Sequence, residues 1–392
     1  MSALPSPSTL QPHPTGPPSD PCTPLWAVYG GTIFPSLQQF DADVVSIVLR
    51  LLNAPEGAGG SLTTGGTESI LLAVKTAVHW AREAKPHLEQ LEIIVPYSCH
   101  PGFEKAADML GGVRVVRLPE SDADYAADIP AMRAAVSPAT VMLVGSAPSY
   151  PYGIVDDITA MSALAIEHDL WLHVDACNGG MIFPFSQQLG RAVREYDFAL
   201  DGVRSVSVDI HKLGYSNKGV SSLLLRNAEE ERFHRFTFSD WPSGLYSTAS
   251  IAGSRSGGGV ASAWAVMHYL GAAGYREIVG EIFAAVDAFV AGIEAISPLR
   301  VLGRPDAYLV AFESADEAVD ILAVDAGMTE RGWSGTQCVK PLAIHLFIDG
   351  SHSPAVAEEY CADLAEVVEM ARRGEIVAPT TTHNVLGVYT RD

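Results

Sequence analysis

Short runs of β-branched and other apolar residues alternate with longer amphipathic segments between about residues 26 and 260. Each run is bounded by Gly, Pro or Ser, a pattern typical of buried strands. The segments 69–84 and 158–169 carry apolar residues at helical spacing. Strands that alternate with helices predict a mostly parallel sheet covered on both faces by helices. The predicted strands are 92–97, 113–118, 140–146, 170–176, 205–210 and 219–226.

A long alanine-rich segment, residues 260–296, has a helical pattern and leads out of this region. Beyond it, shorter apolar runs and a predicted helix near 354–373 indicate a smaller unit. The sequence therefore predicts an α/β protein, with a large domain on a mostly parallel mixed sheet and a smaller C-terminal α/β domain. We expect a Pro-rich flexible arm at 1–25, an N-terminal segment and large domain at 26–280, and a small domain with the tail at 281–392.

The composition excludes several classes of protein. There are 46 acidic side chains against 25 basic ones, for a net charge of −21, and no dense basic run that could neutralise nucleic-acid phosphates. No apolar run reaches the roughly 18 residues of a membrane span, and the N-terminus lacks the features of a signal peptide. The 5 cysteines are scattered, which fits a reducing compartment. We expect a cytoplasmic protein with no transmembrane segment and no nucleic-acid partner.

A glycine-rich loop runs directly into a predicted helix at residues 64–69, Thr-Gly-Gly-Thr-Glu-Ser. The free backbone N–H groups and the positive end of the dipole at such a helix start form a cradle for a phosphate group. Gly66 and Thr67 would belong to that cradle. The alternative is an ordinary helix after a loop, with Thr67 as its N-cap.

Two charged residues stand at or just beyond the ends of predicted strands. Asp175 ends the run 170–176, and ligands of open α/β sheets bind beyond the carboxyl ends of the strands; the alternative is a capping or turn aspartate. Lys212 follows the β-branched run 205–210. Burial there would lower its pKa and favour a nucleophilic amine; the alternative is a solvated lysine at the strand end.

Together these features form a minimal site for pyridoxal phosphate (PLP). The lysine can form a Schiff base with the cofactor aldehyde, the acid can keep the pyridine nitrogen protonated, and the cradle can hold the phosphate. All three occur in the expected order along the chain, which favours a cofactor site over three unrelated local features.

The chain resembles the sphingosine-1-phosphate lyase family, in the group II decarboxylase branch of fold-type I PLP enzymes. The similar stretches span about residues 33 to 345, most of the chain, in matching order. They include TTGGTESILLAVKTA, SCHPGFEKAA, GSAPSYPYGIVDDI, LHVDACNGG, SVDIHKLGYSNKGVSSLLLRN, GSRSGGGVASAWAVMHYLGAAGY and GMTERGW.

This resemblance implies roles for individual residues around the cofactor. Lys212, in the His-Lys pair, would be the Schiff-base lysine, and Asp175, in His-Val-Asp-Ala, would pair with the pyridine nitrogen. His100, in Ser-Cys-His-Pro, would stack on the cofactor ring. Without the resemblance, His100 would be better described as a loop histidine.

The resemblance also implies how the phosphate is held. Gly66 and Thr67, together with His211, would bind the cofactor phosphate. Ser254, in Gly-Ser-Arg-Ser-Gly-Gly, would reach the phosphate of a neighbouring subunit's cofactor, which implies a homodimer with shared active sites. The alternative for Ser254 is a simple glycine-rich turn.

Two residues match positions near the substrate. Lys218 and Tyr215 could take part in proton transfer or in binding a substrate phosphate. The sequence departs from the family pattern beside them: Leu213 replaces an aromatic residue, and Ser216-Asn217 replaces Ala-Pro. These departures bear on the substrate more than on the cofactor.

The resemblance implies a PLP-dependent carbon–carbon lyase for a phosphorylated amino-alcohol lipid, a small-molecule substrate. Retro-aldol cleavage of the C2–C3 bond of a phosphorylated sphingoid base would release a fatty aldehyde and phosphoethanolamine, with Lys212, Lys218 and Tyr215 as candidates for the proton transfers. Two alternatives remain open: an amino-acid α-decarboxylase of the same branch, and a non-enzymatic PLP-fold protein. Lys218 and Arg255 are candidate cations for a substrate phosphate, which would favour the lyase.

Overall fold

The computed structural model describes residues 34–378 and the backbone of two further strands, Thr381–Asn384 and Gly387–Thr390. Within this part of the chain, seven strands form the larger sheet, in the order β1-β7-β6-β5-β4-β2-β3. Strand β7 runs antiparallel to β1 and β6, and the other neighbours are parallel. The strands are β1 (Gly59–Thr63), β2 (Leu91–Pro96), β3 (Val113–Leu118), β4 (Thr140–Ser146), β5 (Trp171–Asp175), β6 (Val203–Val208) and β7 (Ser221–Leu225).

All six strands expected from the sequence are confirmed, with ends that differ by no more than two residues. Strand β1 was not expected because its sequence begins with two glycines, which weaken a strand signal. The structure shows why one of them is required. A Cβ atom on Gly60 would lie 2.5 Å from the carbonyl oxygen of Leu223 on β7.

Helices cover this sheet, as the alternation of strands and helices predicted. The helix expected at 69–84 begins three residues earlier, at Gly66, and most of its length is buried. The helix expected at 158–169 extends over Ile158–Glu167. The helices of this region are α1 (Pro35–Leu51), α2 (Gly66–Ala84), α3 (Gly102–Leu110), α4 (Ile129–Ala135), α5 (Ile158–Glu167) and α6 (Phe183–Gln188).

A hairpin and a long helix follow the large sheet. The hairpin consists of β8 (Phe236–Phe238) and β9 (Tyr246–Thr248), which pair antiparallel. The helix expected at 260–296 is α7 (Gly257–Glu294), and Gly271 interrupts it with φ = 56°. Glycine adopts this left-handed conformation without the Cβ clash of other residues.

The second sheet, also within the described residues, has four antiparallel strands in the order β10-β11-β13-β12. One apolar cluster includes residues of both sheets and of α7, so the two units share a continuous core. The predicted fold class, a mixed sheet with a smaller C-terminal unit, is confirmed. The remaining elements are β10 (Leu299–Val301), β11 (Leu309–Ser314), α8 (Ile321–Glu330), β12 (Thr336–Val339), β13 (Leu342–Phe347), α9 (Pro354–Arg372), β14 (Thr381–Asn384) and β15 (Gly387–Thr390).

Two expectations concern the ends of the chain and its relation to membranes. The expected Pro-rich arm at 1–25 lies outside the described residues. Among the helices that the structure describes, none has the length and apolar character needed to cross a bilayer.

Candidate active site

A cavity of about 520 Å³ lies where the carboxyl ends of β4, β5 and β6 meet the start of α2. This is the edge at which open α/β sheets bind their ligands. The structure brings most of the predicted site residues together here, from segments far apart in the sequence. Those that line the cavity are Gly66, Thr67, His100, Asp175, His211, Lys212 and Lys218.

Lys212 lies in the turn after β6 and is paired with Asp209, one helical turn earlier in the chain. The ammonium nitrogen of Lys212 lies 3.0 Å from Oδ2 of Asp209, whose side chain is almost fully buried. Burial by itself would lower the pKa of Lys212, but the charge and hydrogen bond of Asp209, together with Cys177 and Asp175, raise it overall. The expectation of a lowered lysine pKa is therefore wrong, because the residue pattern alone does not show that Asp209 lies beside the amine.

Asp175 ends β5 and presents an ionised carboxylate to the cavity. Its Oδ1 accepts hydrogen bonds from the Cys177 amide and the Ser207 hydroxyl, both at 3.1 Å. Burial alone would raise the pKa of Asp175, but His100, the Cys177 amide, His173 and Lys212 together hold it below its ordinary value. Asp175 is thus kept anionic in a buried position, as a partner for a protonated ring nitrogen must be.

His100 follows β2 and lines the same cavity. Its Nδ1 accepts a hydrogen bond of 3.0 Å from the amide of Gly102, in the first turn of α3. A Cβ atom on Gly102 would lie 2.9 Å from that nitrogen, so the close approach requires glycine. The loop after β2 therefore fixes the imidazole beside the cavity.

The start of α2 has the features of an anion cradle. Gly65 is the N-cap, and within the described residues no side chain caps this helix start. The alternative role of Thr67 as a capping residue is therefore wrong. The first amides of α2 have no partners within the helix and are available to an anion. Gly66 has no room for a side chain, because a Cβ atom would lie 2.9 Å from both carboxylate oxygens of Asp209.

Glu68 organises the loop that precedes this cradle and was not identified from the sequence. Its Oε2 accepts hydrogen bonds from the amide and the hydroxyl of Thr64, both at 2.6 Å. Its Oε1 accepts a third bond of 2.6 Å, from the amide of Ile251. Glu68 therefore ties the cradle loop to the chain segment that carries Ser254.

His211 lies between the cradle and the lysine turn. Its Nδ1 lies 2.8 Å from the carbonyl oxygen of Val220, and its Nε2 lies 3.8 Å from Oδ2 of Asp209. Burial lowers the pKa of His211, partly offset by Asp209. A neutral imidazole in this position can hydrogen-bond a phosphate without adding a second fixed cation beside Lys212.

Three other predicted residues lie elsewhere in the described chain. Tyr215 does not line the cavity; it is exposed, has a left-handed backbone with φ = 60°, and approaches Gly350 of the smaller unit with its hydroxyl. Ser254 lies in an exposed turn before α7. Arg255, a candidate cation for substrate, is paired with Asp41 and lines a different cavity. Of the two candidate cations, Lys218 therefore lines the cavity of Lys212 in this chain and Arg255 does not.

Tyr150 lines the cavity and was also missed in the sequence. Its ring lies against that of His345 on β13, with 4.8 Å between ring centroids, and its carbonyl lies 3.0 Å from His345 Nε2. His345 is buried in the smaller unit. A sequence signal for this contact is lacking because it joins two residues that are far apart in the chain.

These donors fit PLP. Asp175 offers a buried anion to the ring nitrogen, the start of α2 offers free amides to a phosphate, and Lys212 offers an amine to the aldehyde. In addition, Oδ1 of Asp209 is buried and has no hydrogen-bond partner among the described residues. A buried, unpartnered carboxylate oxygen beside a lysine and an anion cradle indicates a site built for a bound polar group.

The fold and these donors define the class of fold-type I PLP proteins. The profile of the pyridoxal-dependent decarboxylase conserved domain matches residues 28–315, and the chain belongs to this family. PLP is the cofactor of the family.

Individual relatives agree with the resemblance to sphingosine-1-phosphate lyases. The sphingosine-1-phosphate lyase of Arabidopsis thaliana is 38% identical over 87% of this chain and 62% of its own length. The solved structure of the Burkholderia pseudomallei K96243 sphingosine-1-phosphate lyase is 40% identical, with a TM-score of 0.83, over 87% of this chain and 79% of that chain. A probable L-tyrosine/L-aspartate decarboxylase of Methanothermobacter thermautotrophicus is 32% identical over 88% of this chain and 90% of its own length. The chain thus spans about three fifths of the Arabidopsis protein.

Proposed function

We propose that this protein is a PLP-dependent carbon–carbon lyase for phosphorylated sphingoid bases. The observation that carries the proposal is the convergence of Lys212, Asp175, His100 and the start of α2 on one cavity. The proposal is further supported by similarity to sphingosine-1-phosphate lyases from a plant and a bacterium. The products would be a fatty aldehyde and phosphoethanolamine.

Different residues around the cavity bind the cofactor and control its protonation. When bound, PLP supplies an electron sink for the electron pair of the broken bond. Lys212 holds the cofactor, Asp175 keeps a proton on its ring nitrogen, and the amides at the start of α2 hold its phosphate. His100 packs beside the ring. Asp209 stabilises a proton on the amine of Lys212.

Cleavage requires two proton transfers, one from the substrate hydroxyl and one to a substrate carbon. The hydroxyl on C3 loses its proton as the C2–C3 bond breaks, so that C3 becomes the aldehyde carbon and C2 gains a proton. Of the three candidates for these transfers, Lys212 and Lys218 line the cavity and Tyr215 does not. We therefore assign proton transfer to the two lysines. Lys218 is also the candidate cation for the substrate phosphate.

A second candidate function is amino-acid α-decarboxylation. The same cofactor and the same residues would then stabilise the electron pair left when carbon dioxide departs. The observation that favours it is the similarity to a probable L-tyrosine/L-aspartate decarboxylase over 90% of that protein's length.

A product assay separates the two functions. Purified protein loaded with PLP would receive a phosphorylated sphingoid base in one reaction, and tyrosine, aspartate or glutamate in others, with products identified by mass spectrometry. The lyase proposal expects a long-chain aldehyde and phosphoethanolamine, both lost in Lys212→Ala. An amine and carbon dioxide from an amino acid, with no aldehyde from the lipid, would instead establish the decarboxylase.

We also propose a cytoplasmic setting and a homodimer whose subunits share active sites. The four cysteines within the described residues are free, which supports a reducing compartment. The hairpin of β8 and β9 supports the proposed homodimer, because several large apolar side chains are exposed on it and in the segment that leads from it to Ser254. These are Phe236, Phe238, Trp241, Leu245 and Ile251, with exposed fractions from 46% to 70%.

The dimer proposal links association to cofactor binding. If Ser254 completes the phosphate site of the other subunit, Ser254→Ala should weaken PLP binding by about tenfold, the loss expected for one hydrogen bond to a charged acceptor. Leu245→Asp, in the apolar hairpin, should weaken the dimer. Fluorescence titration of PLP and sedimentation measure the two effects. A monomeric wild type with full PLP occupancy would contradict the shared site.

A further inference from the structure

A line of buried hydrogen bonds lies behind Asp175, between strands β5 and β6. The indole nitrogen of Trp171 donates to the Ser205 hydroxyl at 2.8 Å, and the same hydroxyl lies 2.8 Å from Nδ1 of His173. On the other side of the imidazole, Nε2 lies 3.2 Å from the Ser207 hydroxyl, which lies 3.1 Å from Oδ1 of Asp175. The parallel pairing of β5 and β6 places His173 opposite Ser205, and Asp175 opposite Ser207.

The chemistry of the two ends fixes the direction of every hydrogen bond in this line. The ionised Asp175 can only accept, so Ser207 uses its single hydroxyl hydrogen on Oδ1. The oxygen of Ser207 must then accept from Nε2 of His173, which therefore carries the ring hydrogen. At the other end, the indole of Trp171 can only donate, so the oxygen of Ser205 accepts from it. Ser205 then gives its own hydrogen to Nδ1 of His173.

The charge state of His173 agrees with this arrangement. Its side chain is fully buried, and burial lowers its pKa to about 4, with Asp175 as the opposing influence. Near neutral pH the imidazole is therefore neutral, with one nitrogen as a donor and the other as an acceptor. The Phe103 ring, 5.9 Å away by ring centroids, adds an apolar neighbour. Among the described residues, Asp175 is the charged group that opposes the effect of burial on His173.

We propose that His173 is a positioning residue, which through Ser207 orients the carboxylate of Asp175 and keeps it ionised towards the ring nitrogen of the cofactor. The proposal rests on the assignment of the cavity to PLP. Both hydrogen bonds described for Asp175 go to Oδ1, so Oδ2 is the oxygen that serves the cofactor. Because every donor in the line points the same way, each bond polarises the next one towards the carboxylate.

The first test uses the cofactor-free protein and does not depend on PLP. With nitrogen-labelled histidine, magnetic resonance reports which ring nitrogen of His173 carries hydrogen, and His173→Gln identifies the signal. The proposal expects a neutral ring with hydrogen on Nε2 near neutral pH. Hydrogen on Nδ1, or a ring that is charged near neutral pH, would overturn the direction of the line.

The second test measures the effect on the cofactor. Ser207→Ala removes the link between His173 and Asp175 and leaves both of them in place. PLP should then bind about tenfold more weakly, the loss expected for one hydrogen bond to a charged group. The loss of PLP affinity should grow as the pH falls, because Asp175 is easier to protonate in this variant than in the wild type. Ser222→Ala is the matched control. Ser222 is a buried serine on β7 whose hydroxyl binds the Val208 carbonyl at 3.3 Å.

A pair of His173 variants separates positioning from packing. In His173→Gln, the side-chain amide can still donate to Ser207 and accept from Ser205, so PLP affinity should stay near wild type. His173→Leu fills a similar volume without either hydrogen bond and should behave like Ser207→Ala. With labelled PLP, the ring nitrogen should be protonated in the wild type and in His173→Gln, and less protonated in Ser207→Ala.

The outcomes distinguish failure of this inference from failure of the proposed function. If Ser207→Ala and Ser222→Ala bind PLP equally well at every pH, the positioning role is wrong while the lyase assignment stands. If PLP binds as expected and the lipid is not cleaved, the lyase assignment is wrong while the positioning role stands. If His173→Leu does not fold, Ser207→Ala and His173→Gln still decide the question.

Discussion

At the scale of single residues, Asp209 is the main group that keeps Lys212 charged. It sits one turn before Lys212, and its carboxylate raises the pKa of that lysine against the effect of burial. In the cofactor-free protein, Lys212 is therefore held as an ammonium ion beside a buried anion. A released lysine amine would regain its proton in the same place, which suits the proposed roles of Lys212 in holding the cofactor and transferring protons.

We predict that Asp209→Asn lowers the pKa of Lys212, because the largest influence that opposes burial is then removed. In the cofactor-free protein, an amine-modifying reagent should label Lys212 at least several-fold faster at mildly alkaline pH. Peptide mapping by mass spectrometry measures the rate at each lysine. Lys218 is an internal control, because it is exposed and its labelling should not change. Equal labelling of Lys212 in wild type and variant would contradict the role of Asp209.

The sequence was informative about residues that follow a strand and much less so about their contacts. Asp175 and Lys212 were recognisable because each stands at the end of a buried apolar run. Asp209 stands in a comparable position, yet its pairing depends on the tight turn that follows β6, in which the Lys212 amide donates to the Asp209 carbonyl at 3.3 Å. Turn geometry of this kind is set by tertiary packing, and the local residue pattern does not encode it.

At the scale of elements, the start of α2 has no room for a side chain on its first residue. The helix begins against the turn after β6, so a Cβ atom on its first residue would meet Asp209 and Cys177. The sequence predicted the helix from its apolar spacing, but placed its start three residues too late. The missing turn is Gly66-Thr67-Glu68, which is polar and glycine-containing, and is held in place by hydrogen bonds of Glu68.

We predict that Gly66→Ala weakens PLP binding by about tenfold or more, while the protein still folds. A Cβ atom would lie 2.9 Å from both oxygens of Asp209 and 3.1 Å from the sulfur of Cys177, so the helix start or the carboxylate must move. Displaced amides would lose hydrogen bonds to a charged phosphate, which are worth roughly 1.5–3 kcal/mol each. Absorbance titration with PLP measures the affinity.

Gly280→Ala is the control for that prediction. Gly280 lies inside α7, and among the described residues its Cβ atom would meet the side chain of Leu189 at 3.7 Å, an ordinary contact. Alanine is favoured over glycine in a helix interior by roughly 0.8–1 kcal/mol, so this variant should be as stable as wild type or more so, with unchanged PLP affinity. Unchanged affinity in Gly66→Ala as well would show that the start of α2 does not hold the phosphate.

At the scale of the whole molecule, the cavity depends on both sheets. The larger sheet provides Asp175 and Lys212, and the smaller one holds Tyr150 at the cavity through His345. Hydrophobic runs were sufficient to predict the two units, since strands and helices follow from local patterns. Their mutual placement was not predictable, because it depends on long-range contacts such as that of Gly153, where a Cβ atom would lie 2.1 Å from the Leu309 carbonyl.

Buried histidines give the whole molecule an acid-sensitive stability. His173, His234 and His345 are all buried, and burial lowers the pKa of each to about 4, from an ordinary value of 6.5. Between these two values the unfolded chain binds protons that the folded protein excludes, so the free energy of unfolding falls as the pH falls. Each such group contributes about 1.4 kcal/mol per pH unit in this window. Asp156 acts in the opposite direction, since burial raises its pKa to about 6.

We predict that replacing one of these histidines reduces the slope of stability against pH. The free energy of unfolding of wild type should be highest above about pH 6.5 and should decline towards pH 4. His345→Asn should be less stable than wild type near neutral pH, because it loses contacts with Thr336 and Tyr150. The decline of its free energy of unfolding with acid should nevertheless be shallower by about 1.4 kcal/mol per pH unit, the contribution of one titrating group.

Urea unfolding at several pH values measures both effects, with the exposed His87→Asn as the control that keeps the wild-type slope. A His345→Asn slope equal to that of wild type would mean that the buried imidazole is protonated in the folded protein.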